Sequence, residues 1–223
     1  MRSLPLPLAL TARLSPVAVL AAAGWALSSG PLAAPTAAEH RPAAQDKAET
    51  RSVAAPSTSA APKTYAAAPA PCESVAEKTV TSLVPGAKAA GREIPSTDSE
   101  VRRTCSWNAL KGYDYRWLDV SYEVMASDEA AEKSYREQVE RRGGGGAVPG
   151  LGDSAYSVVG LTTEDGQQTR EGVVIARASN ALVTITYNGS DFESKKAPDT
   201  DTINKGAIKA AKEAVAALES EKG

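Results

Sequence analysis

Alternation of apolar and polar side chains in the second half of the chain predicts β-strands. Between Arg116 and Met125, every second residue is apolar, which places the apolar side chains on one face of an extended segment. These residues are Leu118, Val120, Tyr122 and Val124. Similar runs predict about five strands, at about 101–109, 114–125, 154–161, 169–178 and 181–188. Short connections such as Ser179-Asn180 favour antiparallel pairing of successive strands in a meander.

Helical spacing predicts a helix before the strands and another between them. The first has its apolar face at Val75, Thr79, Val80 and Leu83. Pro85-Gly86 ends this helix, and Cys72 lies at its start. The second runs from about Asp128 to Arg142, with Ser127 as its N-cap and Gly143 after its last turn. Its apolar face is thin.

A third helix follows the last strand. Its stripe of mostly small residues comprises Ile203, Ala207, Ala211, Ala214, Val215 and Leu218. Small side chains permit close docking of this helix. We therefore predict an α+β fold, in which N-terminal, middle and C-terminal helices pack on an antiparallel sheet of about five strands.

Composition divides the chain into three parts. Residues 1–30 have the basic, apolar and small-residue regions of an export signal, with the apolar run at Val17–Leu27. Residues 31–70 are expected to form a disordered spacer, because Ala, Pro, Ser and Thr supply 29 of the 41 residues from Pro31 to Pro71 and leave little to bury. Residues 71–223 are long enough to form a single domain with its own core.

The leader leaves two arrangements open. A cleaved signal peptide is the favoured one, because the run between Pro16 and Ser28 is shorter than the roughly 20 apolar residues of a membrane span. An uncleaved leader would instead anchor the protein in the membrane. Both alternatives predict a protein that is secreted or attached to the cell envelope.

Cys72 and Cys105 are the two cysteines of the chain. Two cysteines in one small exported domain predict a disulfide, which would close a loop of about 33 residues and stabilise the fold by roughly 3–4 kcal/mol. A metal site would need further ligands, and a redox pair would usually have the spacing Cys-x-x-Cys. Trp107 is expected to pack against this disulfide.

Several classes of chemistry are disfavoured by the residues present. The single histidine, His40, lies in the spacer, so the domain lacks the residue required by Ser-His-Asp catalysis and by histidine-ligated zinc. From Cys72 onward acidic residues outnumber basic ones 24 to 19, which disfavours nucleic-acid binding. Arg102-Arg103 and Arg141-Arg142 are therefore interpreted as solvated or helix-end charges. We expect no cofactor and no metal.

Carboxylates supply the one enzymatic alternative. Glu164-Asp165, and Asp199 with Asp201, are the acidic clusters that an acid and base pair for hydrolysis would draw on. Both clusters fall where turns and helix starts use acidic residues anyway. The favoured expectation is a domain without catalytic activity.

The residues Tyr113, Tyr115 and Trp117 form an aromatic stripe on the strand face opposite Leu118 and Val120. If a helix covers that face, the stripe belongs to the core, and we favour this alternative. If the face is open, the stripe, which lies beside Asp119, can stack on a sugar ring or on a partner's apolar side chain.

Four segments carry a resemblance to a known family. They are Pro71-Cys72 before a helix, Cys105-Ser106-Trp107, the run Val148-Pro149-Gly150-Leu151-Gly152-Asp153-Ser154-Ala155-Tyr156, and the hairpin around Asn180. With these features the domain resembles the actinobacterial secreted and lipoprotein family known as Domain of Unknown Function 3558. The resemblance implies an envelope location and an α+β fold, with no assigned chemistry. Members commonly carry a lipid-anchored cysteine at the end of the leader, where this chain has Trp25.

These observations together predict an exported domain that binds a cell-envelope component or an extracytoplasmic partner protein. No nucleic-acid partner is expected, and membrane contact is expected only through an uncleaved leader. The alternatives are a carboxylate-dependent envelope hydrolase and a purely structural module.

Overall fold

The computed structural model of the protein describes residues 63–222. The helices are α1 (Glu77–Leu83), α2 (Asp128–Arg142) and α3 (Thr200–Ser220), and a single 3-10 turn covers Pro71–Glu73. The strands are β1 (Arg92–Ile94), β2 (Arg102–Lys111), β3 (Asp114–Val124), β4 (Gly146–Ala147), β5 (Ser154–Glu164), β6 (Gln167–Ala178) and β7 (Ala181–Asp191). The predicted leader, and the spacer as far as residue 62, lie outside the described residues.

The strands form one antiparallel sheet in the order β1-β2-β3-β7-β6-β5-β4. The α+β class is confirmed, but the prediction of about five strands in a meander is wrong in detail. Seven strands are present, and two of them have only three and two residues, too few to show a period of two. The pairing of β3 with β7 also interrupts the meander, because the chain leaves the sheet after β3 to form α2 and returns at its far edge.

The predicted ends of α2 and the turn between β5 and β6 agree with the structure. The Ser127 hydroxyl accepts a hydrogen bond from the backbone N–H of Ala130 at 3.2 Å, and Gly143 follows the last residue of α2. The β5–β6 hairpin turns at Asp165-Gly166, where both residues have the positive φ that such a turn requires. The first helix differs from the prediction, because Cys72 lies in the 3-10 turn and α1 begins at Glu77.

One face of the sheet, called here the covered face, holds the core beneath α1 and α3. Along β3 it receives Leu118, Val120 and Tyr122, which are fully buried. The approach of α3 is close, because a Cβ on Gly206 would lie 2.6 Å from the Tyr187 ring. The Tyr122 hydroxyl donates a 2.8 Å hydrogen bond to the carbonyl oxygen of Ala214 on α3.

The disulfide lies on the covered face. Cys72 and Cys105 are joined, as predicted, with their Cα atoms 5.1 Å apart. Trp107 is 2% exposed, and its indole N–H donates to the carbonyl oxygen of Ala89 at 2.9 Å. A Cβ on Gly91 would lie 2.6 Å from the Trp107 ring and 2.7 Å from the Cys105 sulfur, so the indole and the disulfide meet at this glycine.

The packed domain begins before the predicted boundary at Pro71. Tyr65 and Ala68 are 3% and 6% exposed, so the last part of the predicted spacer is ordered. The buried Asn180 side chain holds this segment, since it accepts from the Tyr65 N–H and donates to the Tyr65 carbonyl oxygen, both at 2.9 Å. The predicted boundary was too late because it rested on the average composition of the spacer. That average does not reveal one tyrosine, Tyr65, that is buried in the domain.

Helix α2 packs on the opposite face, over β6 and β7. Ala131 is its one buried residue, and Glu132 joins it to Arg177 of β6 at 3.3 Å. A helix with so little apolar surface covers only part of the sheet. The remainder of this face, on β2, β3 and part of β7, is called here the open face.

Candidate binding face

The aromatic stripe predicted from the sequence lies on the open face. Tyr115 and Trp117 are partly exposed, and Tyr113, in the turn between β2 and β3, is 57% exposed. The favoured expectation that a helix buries this stripe in the core is therefore wrong. The physical reason is the small apolar surface of α2, which packs mainly over β6 and β7.

Two further apolar side chains extend the stripe into what we call the aromatic patch: Leu110, Tyr113, Tyr115, Trp117 and Phe192. Leu110 pairs directly with Tyr115 across β2 and β3 and is 58% exposed. Phe192 is 48% exposed, and its backbone N–H donates to the Tyr113 carbonyl oxygen at 2.9 Å. The hairpin and the end of β7 thus bring these side chains together.

The rings of the aromatic patch contact one another. The Tyr115 and Trp117 centroids are 6.3 Å apart with planes at 68°, an edge-to-face arrangement. The Tyr115 and Phe192 centroids are 6.0 Å apart. These contacts hold the rings together and leave them partly exposed, so the patch is an apolar surface on the open face.

Asp119 connects the aromatic patch to a polar region. Its carboxylate accepts a 2.6 Å hydrogen bond from the Trp117 indole N–H. Burial raises the pKa of Tyr115, and the nearby Asp119 carboxylate raises it further. Ser121 is two residues further along β3, so its side chain lies on the same face as Asp119. The open face carries more hydroxyl groups from this point.

A cavity of about 430 Å³ lies where the open face meets the C-terminal half of α2. We call it the arginine groove, and it is lined by Arg102, Thr104, Asp119, Ser121, Glu123, Ser134, Gln138, Arg141, Arg142, Thr184 and Thr186. Two neighbouring cavities share residues with it. One shares Arg102 and Asp119, and the other shares Arg141 and Arg142.

The three guanidinium groups of the groove form no salt bridge within residues 63–222, a property they share with Arg92 and Arg170. Arg103, Arg136 and Arg177 form salt bridges with carboxylates at 2.6 to 3.3 Å. Within residues 63–222, Arg102, Arg141 and Arg142 form none, and all three are exposed. Their charges are therefore exposed to solvent and not neutralised by an ion pair in this part of the chain.

The acidic clusters singled out from the sequence occupy turns and a helix start. Glu164 and Asp165 are exposed at the β5–β6 hairpin. Asp199 caps α3 by accepting from the Thr202 N–H at 2.8 Å, and this interaction with Thr202 lowers the pKa of the Asp199 carboxyl group. Asp201 pairs with Lys205 at 2.8 Å. Asp199 and Asp201 therefore stabilise the start of α3, and Glu164 and Asp165 lie at an exposed turn.

Residues 63–222 contain neither a metal-binding cluster nor a membrane-spanning helix. No group of three or more His, Cys, Asp or Glu side chains within residues 63–222 is arranged to hold a metal ion. No helix in the same part of the chain is both long and apolar enough to span a membrane.

Sequence reasoning missed the additions to the aromatic stripe and the arginine groove. Leu110 and Phe192 join the stripe through strand pairing and a turn, which the local pattern of either residue does not show. Arg102 and Arg141-Arg142 are far apart along the chain, and the fold brings them to one cavity. The thin apolar face of α2 was the available signal, because such a helix leaves much of a sheet uncovered.

Comparison with known proteins gives little further information. No protein-family model and no curated protein matches the chain, so the resemblance to Domain of Unknown Function 3558 stays a prediction. One similar solved structure comes from Bacteroides thetaiotaomicron VPI-5482, with 9% identity over 53% of this chain and 47% of that chain and a TM-score of 0.34. Another is the extracellular domain of PknH from Mycobacterium tuberculosis, with 12% identity over 54% of this chain and 64% of that chain and a TM-score of 0.33. The matches span less than two thirds of either chain.

Proposed function

We propose that this protein is an exported, non-catalytic domain that binds a cell-envelope component or a partner protein through the aromatic patch. The observation that carries the proposal is the group of mutually contacting aromatic rings on the open face, beside side chains that are 48% to 58% exposed. Clustered aromatic side chains supply large contact area at low conformational cost, which is why they dominate binding surfaces.

An extracytoplasmic location is supported by the disulfide and by the leader. Disulfides such as Cys72–Cys105 persist in oxidising compartments and are rare in the cytosol. The apolar run Val17–Leu27 has the length and flanking residues of an export signal. The compartment also limits the partners to extracytoplasmic ones.

The non-catalytic part of the proposal rests on the chemistry of the domain's side chains. The domain contains no histidine, which removes the commonest general base. Carboxyl groups could replace it, but a general acid needs a raised pKa. The Glu93, Glu129, Asp191 and Asp199 carboxyl groups have lowered pKa values, because each one accepts hydrogen bonds from neighbouring side chains or backbone N–H groups.

The test is retention of the purified exported protein on separated envelope fractions. Peptidoglycan, membrane lipid and extracted envelope proteins are presented in parallel, and bound protein is quantified. We expect retention on one fraction and its loss in the Tyr115→Ala/Trp117→Ala variant. Leu161→Ala is the matched control, because Leu161 is 47% exposed but lies on the other side of its strand from the open face. Undiminished retention of the double variant would contradict the proposal.

A further inference from the structure

The arginine groove contains an arrangement of charges that the aromatic patch does not explain. Three guanidinium groups from two separate elements, β2 and α2, line one cavity. Within residues 63–222 none of them forms a salt bridge, although Glu123 lies opposite Arg102 on the paired strand. A guanidinium presents a planar fork of N–H donors that matches a carboxylate or a phosphate in a bidentate geometry. The arginines therefore favour a ligand that carries such a group.

The remaining lining favours a ligand rich in hydroxyl groups. Six of the groove residues carry a hydroxyl or amide group: Thr104, Ser121, Ser134, Gln138, Thr184 and Thr186. Hydroxyl groups both donate and accept hydrogen bonds, so they complement the hydroxyl groups of a sugar. The Thr104 and Ser121 hydroxyls bond to each other at 2.9 Å, which fixes the position of two of these side chains relative to one another.

Two carboxylates in the groove disfavour the binding of a densely charged anionic polymer. Asp119 and Glu123 lie among the arginines and would repel closely spaced phosphates or sulfates. They can instead accept hydrogen bonds from ligand hydroxyls. One isolated anionic group on an otherwise uncharged, hydroxylated ligand fits this distribution of charge.

The surroundings of the groove are also suited to an extended saccharide. The two adjoining cavities have volumes of about 620 and 400 Å³ and continue the groove on either side. Trp117 donates a 2.6 Å hydrogen bond to Asp119, which lines the groove, and the Trp117 ring is partly exposed. An aromatic ring beside polar groups is a stacking surface for a sugar ring.

We propose that the arginine groove binds a saccharide that carries a carboxylate or a phosphate group. This deepens the proposed function, because both rest on the open face being a binding surface. The anionic group lies against Arg102, Arg141 and Arg142, and the sugar hydroxyls bond to the threonine and serine side chains between them. The aromatic patch supplies the adjoining apolar contact.

The experiment is calorimetric titration of the full exported protein with four probes. They are an oligogalacturonate, a phosphorylated oligosaccharide, an uncharged maltooligosaccharide of similar length, and heparin. We expect one of the first two to bind at least tenfold more tightly than the uncharged sugar, and the stronger of them identifies the anionic group. Arg141→Gln/Arg142→Gln should weaken that binding at least tenfold. These residues are exposed at the end of α2, so the fold persists, and circular dichroism checks this.

Lys209→Gln/Lys212→Gln is the matched control, because it removes the same charge from exposed positions of α3, which packs against the covered face. It should leave binding unchanged. An equal loss in both variants, tighter binding of heparin than of the two anionic sugars, or no binding of either anionic sugar would overturn the proposal. If no sugar binds but envelope retention still depends on Tyr115 and Trp117, this inference fails and the proposed function stands. If a sugar binds but envelope retention does not depend on Tyr115 and Trp117, this inference stands and the proposed function fails.

Discussion

The covered face and the open face of the sheet are built by the same strands but differ in chemistry. On β3, Leu118, Val120 and Tyr122 are fully buried under helices. The intervening residues Trp117 and Asp119 are only partly buried and contact polar neighbours. The strand period of two separates the residues that stabilise the fold from those that can contact a partner.

Two tryptophans on neighbouring strands make the contrast direct. Trp107 on β2 is 2% exposed, and on the covered face it donates its indole N–H to the backbone carbonyl oxygen of Ala89. Trp117 on β3 is partly exposed and donates to the Asp119 carboxylate. Both indole N–H groups are satisfied, so the two residues differ chiefly in buried apolar area. Trp107 therefore belongs to the core of the covered face, whereas Trp117 belongs to the partly exposed surface of the open face.

Replacement of Trp107 should have the largest effect on stability. We expect Trp107→Ala to lower the free energy of unfolding by about 3–5 kcal/mol, because it leaves a cavity beside the disulfide. Urea unfolding followed by circular dichroism measures this change. Trp117→Ala is the control and should cost far less. Equal losses in the two variants would remove the distinction between the faces.

Removal of the disulfide should have an effect of similar size on the covered face. The Cys72–Cys105 bond spans 33 residues. Chain entropy assigns about 3–4 kcal/mol to closure of a loop of that length. We expect Cys72→Ala/Cys105→Ala to lower the free energy of unfolding by this amount in denaturant titration. A loss below about 1 kcal/mol would mean that the covered face is stable without the cross-link.

Alkaline pH should destabilise the covered face through Tyr122. Burial raises the pKa of Tyr122 from 10.0 to about 12. A raised pKa means that the folded state favours the neutral phenol, so this contribution to stability is complete below pH 10 and is lost as pH rises toward 12. We expect a loss of about 2–3 kcal/mol across that window.

Tyrosinate absorbance and circular dichroism recorded together test this expectation. Tyr122 should ionise only as the protein unfolds, and Tyr122→Phe should lack that contribution to alkaline unfolding. Ionisation of Tyr122 near pH 10 in a protein that remains folded would show that its surroundings are more polar than the structure indicates.

The sequence predicted the local features of both faces because their signals are local. The strand period, the Ser127 cap and the Asp165-Gly166 turn each involve residues within a few positions of one another. The pairing of β3 with β7 is different, because about sixty residues separate the two strands and several pairings satisfy the same alternation. A meander is the simplest arrangement compatible with the alternation, but the structure pairs β3 with β7 instead.

Whether the open face is exposed also depends on contacts between segments that are far apart along the chain. Tyr115 and Trp117 have the pattern of a strand face, which does not say whether a helix covers it. The single buried residue of α2, Ala131, explains the outcome, since a helix that buries so little apolar surface cannot cover all seven strands. The arginine groove needs β2 and α2 to be placed together, which no segment of the chain specifies alone.

Replacement of two rings of the aromatic patch should have the smallest effect on stability. We expect Tyr115→Ala/Trp117→Ala to lower the free energy of unfolding by at most about 1–2 kcal/mol, because surface changes usually cost under about 0.5 kcal/mol each and the edge-to-face contact of the two rings adds about 1 kcal/mol. Thermal unfolding of this variant beside Trp107→Ala measures both faces in one experiment. If the double variant is as unstable as Trp107→Ala, the aromatic patch is part of the core, and loss of envelope binding in that variant would no longer indicate recognition. If it keeps its melting temperature within a few degrees, any loss of binding belongs to the open face itself.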